Sequence, residues 1–100
     1  MNPVTVINRI VVKPGQLDAF IEAQQKFART LPRTMLVGGR MYRSVDGASA
    51  VLVSKFPSKS AQEEVLQSTA FKEHLRGLQA FVESSTPILY EEAYTTGDFR

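Results

Sequence analysis

One hundred residues, 43% of them hydrophobic, suffice for a single globular domain with its own core. The absence of cysteine excludes a disulfide framework, a thiolate metal site and a Cys nucleophile, and it fits a reducing compartment. Twelve Lys and Arg against ten Asp and Glu leave a net charge of +2, scattered along the chain without the cluster a nucleic-acid face needs. No apolar run approaches the roughly 20 residues that span a bilayer, and the first residues show no signal-peptide pattern. The expectation is a cytoplasmic protein that binds neither membrane nor nucleic acid, and a single domain over residues 1–100 with a core from 4 to 94 and a tail from 95 to 100.

The stretch from Val4 to Lys13 is a β-branched run with Asn8 and Arg9 at its middle. Alternation puts Val4, Val6, Asn8, Ile10 and Val12 on one face of a strand and Thr5, Ile7, Arg9, Val11 and Lys13 on the other. Asn8 thus sits on an apolar face, where an unpaired amide costs on the order of 1–3 kcal/mol, so it needs a protein partner or a ligand. Lys13-Pro14-Gly15 ends the strand, and Leu17, Phe20, Ile21, Phe27, Ala28 and Leu31 form the apolar stripe of a helix that stops near Pro32. The loop from Leu31 to Val37 carries more apolar residues than solvent requires, as a lip over a pocket would.

Gly39 to Gly47 reads as a second strand, turned by Asp46-Gly47 into a third from Ala50 to Phe56. Ser60, with Glu63 three residues on, is the expected cap of a short helix ending near Gln67. Ser68 caps a further helix whose stripe is Phe71, Leu75, Leu78 and Val82, and Thr86-Pro87 opens a last strand from Ile88 to Tyr94. The order is a split βαβ pattern, an α+β ferredoxin-like fold with a four-stranded antiparallel sheet and helices on one face. Ile7, Val11, Val51, Val53, Leu89 and Ala93 are then left on an uncovered apolar face, which predicts a homodimer.

With this order, the chain resembles the antibiotic biosynthesis monooxygenase family of dimeric α+β barrels. The resemblance rests on Val6 to Gly15, on Tyr42-Arg43-Ser44-Val45-Asp46-Gly47, and on Ser68-Thr69-Ala70-Phe71-Lys72-Glu73-His74-Leu75. It implies a cofactor-independent monooxygenase that oxidises a small aromatic phenol, quinol or polyketide-like substrate with O2. The rival is a non-catalytic barrel binding a small hydrophobic ligand; an isomerase or decarboxylase on this scaffold is a third class. The haem-degrading branch carries a Trp at the end of the third strand and an iron-ligating His four residues after the helix-start Phe, and here Phe56 and Leu75 stand at those positions. His74 is one residue away, a rotation of about 100° on a helix, so neither metal nor cofactor is expected.

Asn8 is the expected oxyanion donor and His74 the expected base. Phe56, Phe71 and Leu75 are expected to line the substrate pocket, with Arg40, Tyr42 and Tyr90 as further donors if their strand faces point inward. Each has a plainer reading: Asn8 as a register-holding amide, His74 as a surface histidine, and the aromatic residues as packing. Arg9, on the uncovered face, is read as an ion-pair partner of Glu91 or Glu92.

Overall fold

In the computed structural model, which describes residues 2–99, the β-branched run forms β1 (Val4–Val12) and the Leu17 stripe forms α1 (Leu17–Arg29). Gly15, at φ +76°, makes the turn between them. α1 stops ahead of Pro32, with the Thr30 hydroxyl donating to the Phe27 carbonyl at 2.7 Å. β2 (Gly38–Arg43) and β3 (Ser49–Phe56) follow, then α2 (Lys59–Gln67), α3 (Thr69–Leu78) and β4 (Val82–Tyr90). The strands form one antiparallel sheet in the order β2-β3-β1-β4. This is an α+β, ferredoxin-like arrangement with the helices on one side.

The β2–β3 connection is closed by side chains. The Ser44 hydroxyl donates to Asp46 and accepts from the Ala48 and Ser49 N–H groups, while Gly47 takes φ +78°. The bonds from Ser44 and Ala48 favour the ionised form of Asp46 and lower its carboxyl pKa. These requirements end β2 at Arg43, earlier than the sequence reading placed it.

The covered face of the sheet carries the core. Ile10, Val12 and Ala50 pack with Leu17 and Phe20 of α1 and Leu78 of α3, and Phe20 is the most deeply enclosed large side chain among the described residues at 1% exposure. Ser68 joins α2 to α3: its hydroxyl donates to the Val65 carbonyl at 2.7 Å and accepts from the Phe71 N–H at 3.1 Å, ending one helix and capping the next.

Three sequence expectations are corrected. The α2 cap is Ser58, not Ser60. Ser58 has the extended backbone of a cap (φ −160°, ψ 164°) and accepts from the Ala61 N–H, while Ser60 lies within the helix. α3 ends at Leu78, so Val82 belongs to β4 and not to the helical stripe. β4 therefore starts six residues before Ile88 and ends at Tyr90, and Glu91 to Tyr94 lie beyond the sheet. Pro87 is tolerated within β4 because that strand is at the sheet edge.

This register also redistributes the last strand between the faces. Leu89 pairs with Val6 on the covered side, whereas Ile88 and Tyr90 pair with Ile7 and Thr5 on the open side. The open face thus comprises Ile7, Val11, Val51, Val53 and Ile88, flanked by Tyr42 and Tyr90; Leu89 and Ala93 are not part of it.

Replacing Phe20 by Ala is predicted to cost about 3–5 kcal/mol, through lost burial plus the cavity left behind. Ser68→Ala is predicted to cost about 1 kcal/mol, the worth of one cap. Urea titrations that ranked the two the other way would contradict this packing account.

Candidate functional site

Between the covered face of the sheet and the three helices the chain leaves a cleft of about 1010 Å³, at the upper end of the range of small-molecule sites, roughly 300–1,000 Å³. Val6, Asn8 and Ile10 of β1 and Leu52, Ser54 and Phe56 of β3 form its floor. Phe20 and Phe27 of α1 and Phe71, His74 and Leu75 of α3 form its roof. Leu31 and Leu36, from the loop read as a lip, close one side. The cleft exists because α1 and α3 converge on Ile10 and Val12 at one end of β1, leaving Val6 and Asn8 less deeply covered.

Asn8 is half-buried on this floor, and its Oδ1 accepts a hydrogen bond from the Thr86 N–H at 2.9 Å. A backbone N–H can only donate, so the atom facing Thr86 must be the carbonyl oxygen, and the orientation of the amide follows without ambiguity. Nδ2 has no protein partner among the described residues. Asn8 is thus half satisfied: its acceptor holds the edge strand, and two N–H donors remain for whatever occupies the cleft.

His74 lies over Phe27 with ring centroids 4.2 Å apart and planes 7° from parallel, and Phe71 tilts against Phe27 at 5.9 Å. Its Nε2 is 2.7 Å from Gln24 Oε1. With that oxygen as acceptor, Nε2 carries the proton and Nδ1 keeps the free lone pair. Burial, which disfavours the imidazolium, lowers the pKa of His74. The ring is therefore neutral at pH 7, in the state a general base requires.

The remaining expected residues divide. Phe56, Phe71 and Leu75 line the cleft, Leu75 at its exposed margin. Arg40 touches the rim, but it pairs with Val53 on the open face, where its guanidinium donates to the Tyr42 hydroxyl at 3.3 Å and lies 4.9 Å from the centre of the Phe99 ring. Tyr42 and Tyr90 also lie on the open face, so the condition for their role as donors to the cleft is not met. Among the described residues, no group of three or more His, Cys, Asp or Glu is placed to hold a metal ion, and no helix is long and apolar enough to cross a membrane.

Polar residues of the lining that escaped the sequence reading are Gln24, Gln25, Ser54, Gln62, Gln79 and Ser85, of which Gln24 and Gln62 interrupt apolar stripes. Gln24 falls between Phe20 and Phe27 in the α1 stripe, and Gln62 stands one turn before Val65 on the buried side of α2. A glutamine at a stripe position is the signal that marks both.

Comparison with known proteins agrees with this geometry. A family model described as antibiotic biosynthesis monooxygenase matches residues 3–77. No match is found among curated proteins. A mutant of SnoaB, described as a cofactor-independent oxygenase from Streptomyces nogalater, superposes with a TM-score of 0.83 at 24% identity over 95% of this chain and 97% of that one. Rv0793 from Mycobacterium tuberculosis gives 0.79 at 18% identity over 96% and 100%. PA3566 from Pseudomonas aeruginosa gives 0.79 at 16% identity over 94% and 97%. Identities this low establish a shared fold alone.

His74 is the one histidine in the chain, which makes its titration directly visible. Its pKa measured by NMR is predicted to lie below the ordinary value of about 6.5. Because the unfolded chain binds this proton more readily, stability falls as pH drops below about 6.5 and through the lower folded pKa. His74→Gln is predicted to flatten that part of the pH–stability curve; an unchanged slope would contradict the burial of the ring.

Proposed function

The chain belongs to the antibiotic biosynthesis monooxygenase family, and on that premise we propose that it is a cofactor-independent monooxygenase acting on a small aromatic phenol or quinol. What supports this reading above all is the divided Asn8 amide, whose oxygen is committed to Thr86 and whose NH2 group is free on the wall of an apolar cleft.

In this reading a planar substrate lies between the sheet floor and the Phe27–Phe71 roof. Nδ1 of His74 takes the phenolic proton, and Asn8 Nδ2 donates to the aryl oxide as charge builds there. A preorganised donor in a site shielded from water stabilises such a charge more than water would. The electron-rich anion then reduces O2 itself. One oxygen atom enters the product and the other leaves as water, with both reducing electrons taken from the substrate. Phe56 and Leu75 are the proposed apolar walls of the ring site.

We also propose that two copies pack through their open sheet faces. Ile7, Val51, Val53 and Ile88 form a contiguous apolar surface there that no helix of the same chain covers. Arg9, also on that face, is the proposed polar contact of the interface.

Asn8→Asp separates fold from chemistry, since the carboxylate still accepts from Thr86 but offers no donor. Oxygen consumption with a quinol or anthrone is predicted to fall about 10²–10³-fold, with the thermal midpoint little changed. Unaltered oxygen uptake would refute the role of Asn8, and turnover without O2 would place the protein among the isomerases or decarboxylases. Ile7→Glu is predicted to convert dimer to monomer in sedimentation velocity; a monomeric parent chain would refute the pairing.

A further inference from the structure

Gln62 is only 7% exposed, yet among the described residues its side-chain amide has no hydrogen-bond partner, and it lines the cleft. Leaving an enclosed amide unpaired costs on the order of 1–3 kcal/mol. Among the described residues no fully enclosed side-chain nitrogen or oxygen lacks a partner, so the polar atoms of Gln62 keep contact with solvent, and the cleft is the open space that Gln62 lines. Nothing else among the described residues uses them. The neighbouring Ser58 hydroxyl is engaged with the Ala61 N–H and with Ser60.

The position of Gln62 gives its polar group a distinct part of the site. α2 begins three residues beyond Phe56, so its first turn lies at the Phe56 end of the floor. Phe56 pairs with Val4 and Leu52 pairs with Asn8, so the Phe56 end is four residues along the strand from Asn8, about 13 Å at the usual rise. Asn8 and Gln62 therefore place carboxamides at mid-floor and at the Phe56 end of the cleft, with Ser54 on the floor between them.

Charge narrows the ligand further. Apart from His74, which burial keeps neutral, Arg40 is the one ionisable residue of the lining among the described residues, and its guanidinium is engaged with Tyr42 and Phe99 on the other face of the sheet. A ligand carrying a permanent charge at the Gln62 end would enter without a counter-charge. We infer that Gln62 is a specificity-determining residue that binds a neutral hydroxyl or carbonyl substituent at the end of an elongated aromatic ligand remote from Asn8. This rests on the proposed aromatic occupancy of the cleft. A site built to bond such a group discriminates against an apolar isostere because the buried amide is then left unpaired.

Binding without turnover tests it. Anthraquinones bearing a hydroxymethyl, an ethyl or a carboxylate group at one ring edge are measured by equilibrium dialysis against the full chain and against Gln62→Leu, Gln62→Met and Asn8→Asp, each checked for folding by circular dichroism. The full chain is predicted to bind the hydroxymethyl compound about tenfold more tightly than the isosteric ethyl one, and the carboxylate most weakly. Both Gln62 variants lose the hydroxymethyl preference, and Asn8→Asp retains it. The same preference with and without Gln62, or no preference in the full chain, as for an amide bridged to water alone, overturns this inference and leaves the aromatic site standing. Failure of all three compounds to bind overturns both.

Discussion

The bond from the Thr86 N–H to Asn8 Oδ1 holds the sheet and the cleft in one arrangement. Pro87 stands opposite Asn8 and has no N–H to give to the β1–β4 ladder. At that point the edge strand is fastened to β1 through a side chain, and the fastening fixes which end of the Asn8 amide faces β4. The acceptor goes to structure, so the donors are left for the cleft. A residue that must be paired for the fold and unpaired for a ligand meets both demands because its two ends are chemically different.

From that strand outward, the two faces of the sheet diverge. On the covered side, α1 and α3 seal the Ile10 end of β1 and diverge from the Asn8 end, so the same helices build both the core and the cleft roof. The His74 ring is sandwiched into that roof by Phe27 and oriented by Gln24. On the open side lie the aliphatic residues of alternating positions with the charged groups at their margins, including Arg40, whose charge is thereby kept out of the cleft. Strand alternation sorts the apolar cavity from the charged surface, and a cleft free of fixed charge suits a ligand that enters neutral and ionises inside.

Where local chemistry decides the structure, the sequence was legible. The alternation of β1 placed Asn8 on the covered face, and the α1 stripe and the Ser68 cap appear where their spacing predicts. The edge strand was not legible, because Glu83-Ser84-Ser85-Thr86-Pro87 has the composition of a loop and owes its strand conformation to pairing with β1. That error moved Leu89 to the wrong face and hid the partner of Asn8. Ser58 and Ser60 are chemically equivalent caps, and the extended backbone of Ser58 at the end of β3 chose between them. Gln24 and Gln62 were passed over as polar residues, although their positions within apolar stripes set them apart from the glutamines of solvated faces.

Asn2 and Asn8 are the only asparagines in the chain, so asparagine-selective nitrogen labelling resolves the Asn8 side-chain NH2 group in a nearly empty spectrum. Titration with a hydroxyanthraquinone is predicted to move both Asn8 side-chain protons downfield while the Thr86 amide resonance, followed in a uniformly labelled sample, stays in place, as the free end of the carboxamide takes up the ligand and the bound end holds the strand. Saturation of the cleft with the Asn8 side-chain protons unmoved, or protection of those protons from solvent exchange before any ligand is added, would contradict the account.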